Sequence, residues 1–515
     1  MLIRYFVFRA GIGGCAFLGL LVAVGCTTVD PKADCGRASQ LIAERTGNRE
    51  SYDPSADAQV AEKAAALLAE GLTTDRAVRI ALLNNPALQS AFQEIGASRA
   101  DLVQSGLLTN PSFSLLPQFA EAGGRAKLTM GFGQELVDLW QIPVRRKIAE
   151  AQLEQVVLRV VQQAVDLTAE VKAQSYRLLA LQQAEEIANE NVALVEMSLK
   201  AAEDRFAAGE TGQLDVNLVR TNLQETRLQR TDIQRQRRLA ETALANLLGV
   251  SRWESPWVLR DELPAAVLPP QDERAMLVFA MTERLDARAA ALRVRAAEEE
   301  LRQQYLKILP SIAAGVEWER PDRKALPGRK IWADTARDSV AAGKLTAPSI
   351  QSKAQRDADR RAIVDSLLGP SLQVTLPVWD RNEAQIAKAR FRAEQQRKEY
   401  ETLLDAVARQ VQDAMIAVRI AEEQVRFYRE QALPLANANV ESARRTYRAG
   451  EKDILVLIDA QKSLIAQRQA YLSVMRDYAV GVAELERAVG GRLPIVATRA
   501  ATRPTTRSSR GAGQP

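Results

Sequence analysis

The chain has 515 residues, 26% of them charged and only 5% aromatic, with 69 Lys+Arg against 64 Asp+Glu (net +5) and no histidine. The missing histidine removes every mechanism built on a His general base, a Ser-His or Cys-His pair, or a His metal ligand. Three cysteines support neither a disulfide framework nor a cysteine-rich zinc site, so no enzyme is expected.

The chain opens with an address. Met1–Gly25 carries Arg4 and Arg9, no acid, and a 16-residue apolar run from Ala10 that ends in small residues. This is the layout of a secretory signal, and the run is short of the ~20 residues a transmembrane helix needs. Leu21-Val-Ala-Val-Gly-Cys26 resembles a bacterial lipobox. That resemblance implies a diacylated, palmitate-bearing Cys26 as the mature N-terminus, and Thr27 in place of Asp fits outer-membrane retention. Cys35 then stays as an isolated thiol. A lipidated periplasmic segment, 26–71, follows.

The most informative feature is an internal repeat. Arg205-Phe-Ala-Ala-Gly-Glu-Thr-Gly-Gln-Leu214 matches Thr446-Tyr-Arg-Ala-Gly-Glu-Lys-Asp-Ile-Leu455 at an offset of 241, and Asn110-Pro111 matches Leu309-Pro310 at an offset of 199. An insertion of about 40 residues in the second copy accounts for the difference. The copies span 72–250 and 272–491, joined by a crossover at 251–271 with Trp253, Trp257 and four prolines.

Each copy predicts a helix, a strand pair, a very long helix, a turn and another long helix. In copy one the apolar period gives Thr73–Leu108, then Ile142–Ala208 at roughly 100 Å, then Gln213–Leu248. Copy two gives Asp272–Ile308, Asn382–Ala449 and Asp453–Val489, with Pro434 kinking or dividing the long helix. Helices of this length pack along one another as coiled coil.

The strands show period-two alternation. Phe113, Leu115, Pro117 and Phe119 share one side, as do Leu128, Met130 and Phe132, then Ile312, Ala314, Val316 and Trp318, then Leu372, Val374 and Leu376. The hairpins fall at about 111–136, with a short loop at 121–126, and at 311–319 with 370–379, with a long loop at 320–369 that includes a candidate helix at 354–368. A soluble hairpin laid on a helix reads the same way, but four such strands at equivalent points of a repeat fit a transmembrane barrel. Four cannot close one alone. Two chains would supply eight strands and three would supply twelve. Trp318, Trp332, Trp379, Phe119 and Trp140 read equally well as interface belt or as filler between barrel and helices.

Taken in order and in duplicate, Leu72–Pro86, Gly106–Pro111, Trp140–Ala149 and the two Ala-Gly-Glu turns resemble the TolC-like outer membrane efflux proteins. The resemblance covers about 72–491. It implies a mainly α chain with membrane β, forming a homotrimer whose 12-stranded barrel continues into an α-helical periplasmic tunnel. It implies an exit duct of a tripartite efflux system, partnered by a periplasmic adaptor and a proton-driven or ATP-driven inner-membrane pump, and leaning toward metal or drug pumps. It places adaptor docking on the turns at Gly209, Glu210, Gly450 and Glu451, an entrance gate at Asp215, Tyr447 and Lys452, and an entrance acid ring at Asp459. Val456 stands where a second ring acid would be. The alternative from another class is a periplasmic coiled-coil adaptor or scaffold lipoprotein.

The tail from Arg492 holds five arginines and no acid amid Thr, Ser, Ala and Gly, a disordered composition. Seven of the 69 bases thus belong to signal and tail, leaving 62 against 64 acids in 26–491. The working body is near neutral. No nucleic-acid partner is expected.

Overall fold

The computed structural model describes residues 29–119, 124–250, 257–266, 272–321, 323–324, 340–343, 366–449, 451–452 and 454–493. The signal, Cys26, Trp253, Trp332, Gly450, the candidate helix up to 365 and the tail beyond 493 lie outside them. Two compact units emerge: one of residues up to Ala100, Gln152–Val294 and Gln396 onward, the other of Asp101–Ala151 and Arg295–Gln395.

Helices account for most of both units: α1 Lys32–Thr46, α2 Val60–Ala69, α3 Thr74–Asn84, α4 Pro86–Ser105, α5 Asp138–Ala207, α6 Gln213–Leu248, α7 Glu273–Glu283, α8 Leu285–Leu306, α9 Glu383–Phe427, α10 Leu433–Arg448 and α11 Ile454–Ala488. α1 and α2 are elements that the apolar pattern did not reveal. α1 is held to its unit by Arg37, which donates to both Glu154 oxygens at 2.5 and 2.6 Å, and by Arg45 to Glu283 at 2.6 Å. Cys35 is buried on its inner face, and burial, with help from Asp34, raises the thiol pKa.

The helix predicted over Thr73–Leu108 breaks in two at Asn85. That residue is extended (φ −69°, ψ 119°), as expected before Pro86. Asn85 Oδ1 accepts the Leu88 N–H as the cap of α4, while its Nδ2 donates to the Leu247 carbonyl at the end of α6 (2.9 Å). Copy two breaks at the equivalent position without a proline. Arg284 (φ −62°, ψ 130°) is 7% exposed and donates to Gln410 Oε1, to both Asp286 oxygens and to the Ala488 carbonyl at the end of α11. In each copy the last helix ends on a left-handed glycine, Gly249 (φ 65°) or Gly490 (φ 87°). A Cβ on Gly249 would stand 2.4 Å from the Asn84 carbonyl, and one on Gly490 would stand 3.1 Å from Arg284 Cγ.

α5 starts one turn earlier than predicted, at Asp138, so Pro143 lies inside it. The Asp138 carboxylate accepts the Thr109 N–H at 2.5 Å and an Arg145 N–H at 2.7 Å, which anchors the helix start to the preceding loop. Burial would raise its pKa, but the Thr109 and Arg145 contacts outweigh it and leave the pKa below the ordinary value. In copy two the long helix is interrupted at Tyr428–Ala432 by a π turn, in which the Leu433 N–H reaches the Tyr428 carbonyl. Pro434 has no N–H to give and its ring crowds the carbonyl four residues back, so the widened turn absorbs the conflict.

Two buried clusters line the long helices. One joins Met276 and Ala280 of α7, Val407, Val411, Val418 and Val425 of α9, and Tyr478 and Leu485 of α11. The other joins Val192 and Val195 of α5, Val216, Val219 and Leu223 of α6, Ala443 of α10, and Ile454, Leu457 and Ile458 of α11. With Ala414 and Ala421 between them, the α9 valines follow the four-and-three step of a coiled-coil seam.

Replacing Asn85 with Ala should cost about 1–3 kcal/mol, because it removes a cap and a partner of the half-buried Leu247 carbonyl. Arg284→Met should cost about 3–5 kcal/mol by leaving Asp286 uncompensated. Urea unfolding of the detergent-solubilised protein measures both. Since the Asp138 pKa is lowered on folding, its contribution is full above the ordinary carboxylate range and drains as pH falls through the lowered value. Asp138→Asn should flatten that loss in urea midpoints taken from roughly pH 6 to pH 3.

Candidate membrane sheet and channel entrance

The predicted strands pair into one antiparallel sheet in the order β1 (Ser112–Gln118), β3 (Lys127–Glu135), β4 (Ser311–Arg320), β6 (Leu367–Thr375). Two short strands, β2 (Gly124–Arg125) and β5 (Arg323–Lys324), continue the β3–β4 ladder in the same register. These fall inside the predicted loops at 121–126 and 320–369, so the first loop ends earlier and the second begins later than expected. The ladder skips at Pro321, which has no N–H to donate. β6 starts at 367 and stops before Pro377, earlier at both ends than predicted.

The register sorts the side chains into two faces. Phe113, Phe132, Val316 and Pro370 form one cross-strand row, and Leu115, Met130, Trp318 and Leu368 the next. Pro117, Leu128, Ile312, Ala314, Leu372 and Val374 extend that apolar face, with Gln134 and Arg320 at its two ends. The other face carries Ser114, Gly131, Glu317 and Gly369 in one row and Ser112, Gly133, Gly315 and Ser371 in the next. It also holds the Lys127–Glu319 pair at 3.0 Å. The apolar face is open: Phe113 is 65% exposed and Leu372 70%. Phe119 and Trp379, nearly bare, flank opposite ends of the sheet, whereas Trp140 is half-buried in the first turn of α5. The outer edges of β1 and β6 have no strand partner among the described residues.

At the far end of α5 the chain turns through Gly209 (φ 76°), with the Glu210 N–H closing on the Arg205 carbonyl at 2.9 Å. The second turn repeats this bond, Glu451 N–H to Thr446 carbonyl, at 3.0 Å. Glu210, Glu451, Lys452 and Asp459 are exposed, while Asp215 and Tyr447 are half-buried. The structure does not pair the expected gate residues with one another. Asp215 accepts from the Thr211 hydroxyl in its own first turn. Tyr447 packs on the second buried cluster and lies beneath Arg205, whose guanidinium carbon is 4.9 Å from the ring centroid. Arg205 also donates to Glu210 at 3.2 Å, and its contacts with Tyr447 and then Glu210 raise its pKa. In the sequence Arg205 stands out only as a repeat landmark. The signal that could have found it is its position one turn before Gly209, on the helix face turned toward the second copy.

An amphipathic sheet with open edges, in a chain of paired helices tens of residues long, fits the class of envelope channel subunits. A profile of outer membrane efflux proteins matches residues 77–250 and 279–491, and the chain belongs to that family. It is an outer-membrane efflux channel, which sets aside the adaptor or scaffold alternative. The cobalt-zinc-cadmium resistance protein CzcC of Cupriavidus metallidurans is 23% identical over 421 residues, covering 81% of this chain and 90% of CzcC. The fold is similar to that of CusC, a transmembrane channel protein (TM-score 0.65, 18% identity, 82% of this chain and 92% of that one). It is also similar to the open-state MtrE outer membrane channel of Neisseria gonorrhoeae (TM-score 0.62, 19% identity, 81% and 89%).

A Cβ on Gly315 would lie 2.4 Å from the Phe132 carbonyl, whereas one on Gly369 meets nothing within 4 Å. Gly315→Val should therefore abolish heat-modifiable migration on unboiled gels, and Gly369→Ala should keep it. At the turns, Tyr447→Phe preserves an aromatic ring under Arg205 and Tyr447→Leu does not. A double-mutant cycle of Arg205→Gln with Tyr447→Leu should give about 0.5–1 kcal/mol of coupling in urea unfolding. The same cycle with Tyr447→Phe should give close to none, because the ring face survives.

Proposed function

We propose that three copies of this chain close a 12-stranded barrel continued by a helical periplasmic tunnel, serving as the passive exit duct of a tripartite efflux system. The single observation behind this reading is the four-stranded sheet, apolar on one face and open at both edges, in a chain of this family. In hydrocarbon an unpaired edge leaves backbone groups unsatisfied, so the strands must be completed by other copies. The ten residues of β4 at ~3.3 Å each, tilted by 35–45°, match an apolar band of about 25 Å.

In this reading the turns at Gly209–Glu210 and Gly450–Glu451 dock a periplasmic adaptor, which links the duct to an inner-membrane pump. Asp215, Tyr447 and Lys452 belong to the entrance, and Asp459 from each copy forms an acid ring there. A diacyl lipid on Cys26 adds an anchor in the outer membrane. The relative CzcC, a cobalt-zinc-cadmium resistance protein, favours metal cations as the cargo. Without histidine and with only seven methionines, the wall carries cations by charge and not by soft ligands.

Native mass measurement in detergent should give the mass of three chains, and planar bilayers should show channels; a monomer without conductance would refute the duct. Asp459→Asn should weaken block by a trivalent cation about tenfold or more, since a ring of three carboxylates is what concentrates it. Unchanged block would remove Asp459 from the ring.

A further inference from the structure

The repeat that builds the sheet also fixes how it must continue into a second copy. Pro111 and Pro310 are equivalent, so Ser112 of β1 corresponds to Ser311 of β4. Ser112 pairs with Gly133 and Ser311 pairs with Thr375, which makes Gly133 of β3 equivalent to Thr375 of β6. By the same count from Ser112 and Ser311, Leu116 of β1 corresponds to Gly315 of β4. Within the chain, copy one joins copy two through the β3–β4 ladder, in which Gly133 faces Gly315. The strand equivalent to β3 is β6, and the strand equivalent to β4 is β1. Both have a free outer edge among the described residues.

We infer that β6 of one protomer pairs with β1 of the next in the register of the internal β3–β4 ladder, placing Thr375 opposite Leu116. The partners that follow are Val374 with Pro117, Gln373 with Gln118, and Leu372 with Phe119. This rests on the barrel proposed above and adds its register.

The face pattern supports it. Side chains alternate with period two, so a slip of one residue would set the apolar row of one strand against the small and polar row of the other. In the inferred register Val374 with Pro117 and Leu372 with Phe119 fall on the apolar face, while Gln373 with Gln118 falls on the polar one. An equivalence set one residue off would have broken that agreement. The opposed glutamines then add a carboxamide contact to the polar face that holds Ser114, Glu317 and Glu319. Following the three ladders through a chain and then the inferred β6–β1 pairing advances the strand level by about eight residues, the stagger each copy would contribute to closure.

Cysteine cross-linking in intact outer membranes tests the register, in a Cys35→Ser background. Carrying both Gln118→Cys and Gln373→Cys in one chain should give dimers and trimers on non-reducing gels after mild oxidation. Leu116→Cys with Thr375→Cys serves as a second pair if the first fails to reach the membrane. The shifted pairs Ser114→Cys with Gln373→Cys and Leu116→Cys with Gln373→Cys should cross-link at least tenfold less. Preferential linkage of a shifted pair would overturn the register while leaving closure by β1 and β6 intact. An absence of linkage in every pair, with the protein still oligomeric, would overturn both the register and closure through these two edges.

Discussion

Backbone hydrogen bonding at the two outer strands is the constraint on which the rest of the molecule depends. β1 and β6 each present a row of N–H and C=O groups that water could satisfy and hydrocarbon could not. Given an apolar face on the same sheet, the chain has no stable state in a bilayer by itself. In the barrel proposed above, other copies supply those partners. The hairpins recur at equivalent points so that one ladder type can serve repeatedly, the polar face is thinned to glycine and serine where strands crowd, and Pro377 ends the last strand near the level at which the helices begin.

Duplication supplies those partners with little new sequence, but the copies have not kept the same chemistry. The break between the two short helices is made in copy one by an asparagine before a proline and in copy two by a buried arginine. Both side chains reach the last carbonyls of the long helix that closes their own copy, beside a left-handed glycine. A neutral amide brings two donors and an acceptor and no charge, whereas a guanidinium has five donors to place and needs a carboxylate to balance it. Asp286 and Gln410 meet that need. The backbone geometry was retained and its chemical means were replaced.

Much of this was legible in the sequence because it rests on period and order. The alternation of Phe113, Leu115, Pro117 and of Ile312, Ala314, Val316, Trp318 reports faces directly, and the two Ala-Gly-Glu turns report where the long helices reverse. What escaped is local or long-range. Arg284 breaks a helix with no residue that disfavours helix beside it, since the cause is a carbonyl about 200 residues away. α1 and α2 carry short patterns whose burial depends on partners in other segments. The contact between Arg205 and Tyr447 escaped for the same reason. The resemblance suggested which residues stand at the entrance, but it could not say which of them touch. Asp215 turned out to be engaged by Thr211 in its own turn.

The π turn at Tyr428–Ala432 has a consequence beyond accommodating Pro434. Holding one residue more than an α turn, it shifts the phase of every side chain below it by about a residue's step, ~100° around the axis. The stripe of valines from Val407 to Val425 and the stripe that runs through Ala443 to Tyr447 are therefore two stripes pointing different ways. The first stripe meets α7 and α11, and the second meets α11 and the hairpin of the first copy. The turn works as a junction at which one rod keeps α11 beside it and trades α7 for the hairpin of the first copy. That trade adds an apolar contact between the two copies where they reverse to the ion pairs that join them farther from the turns, Lys172 with Glu486 and Asp166 with Arg487.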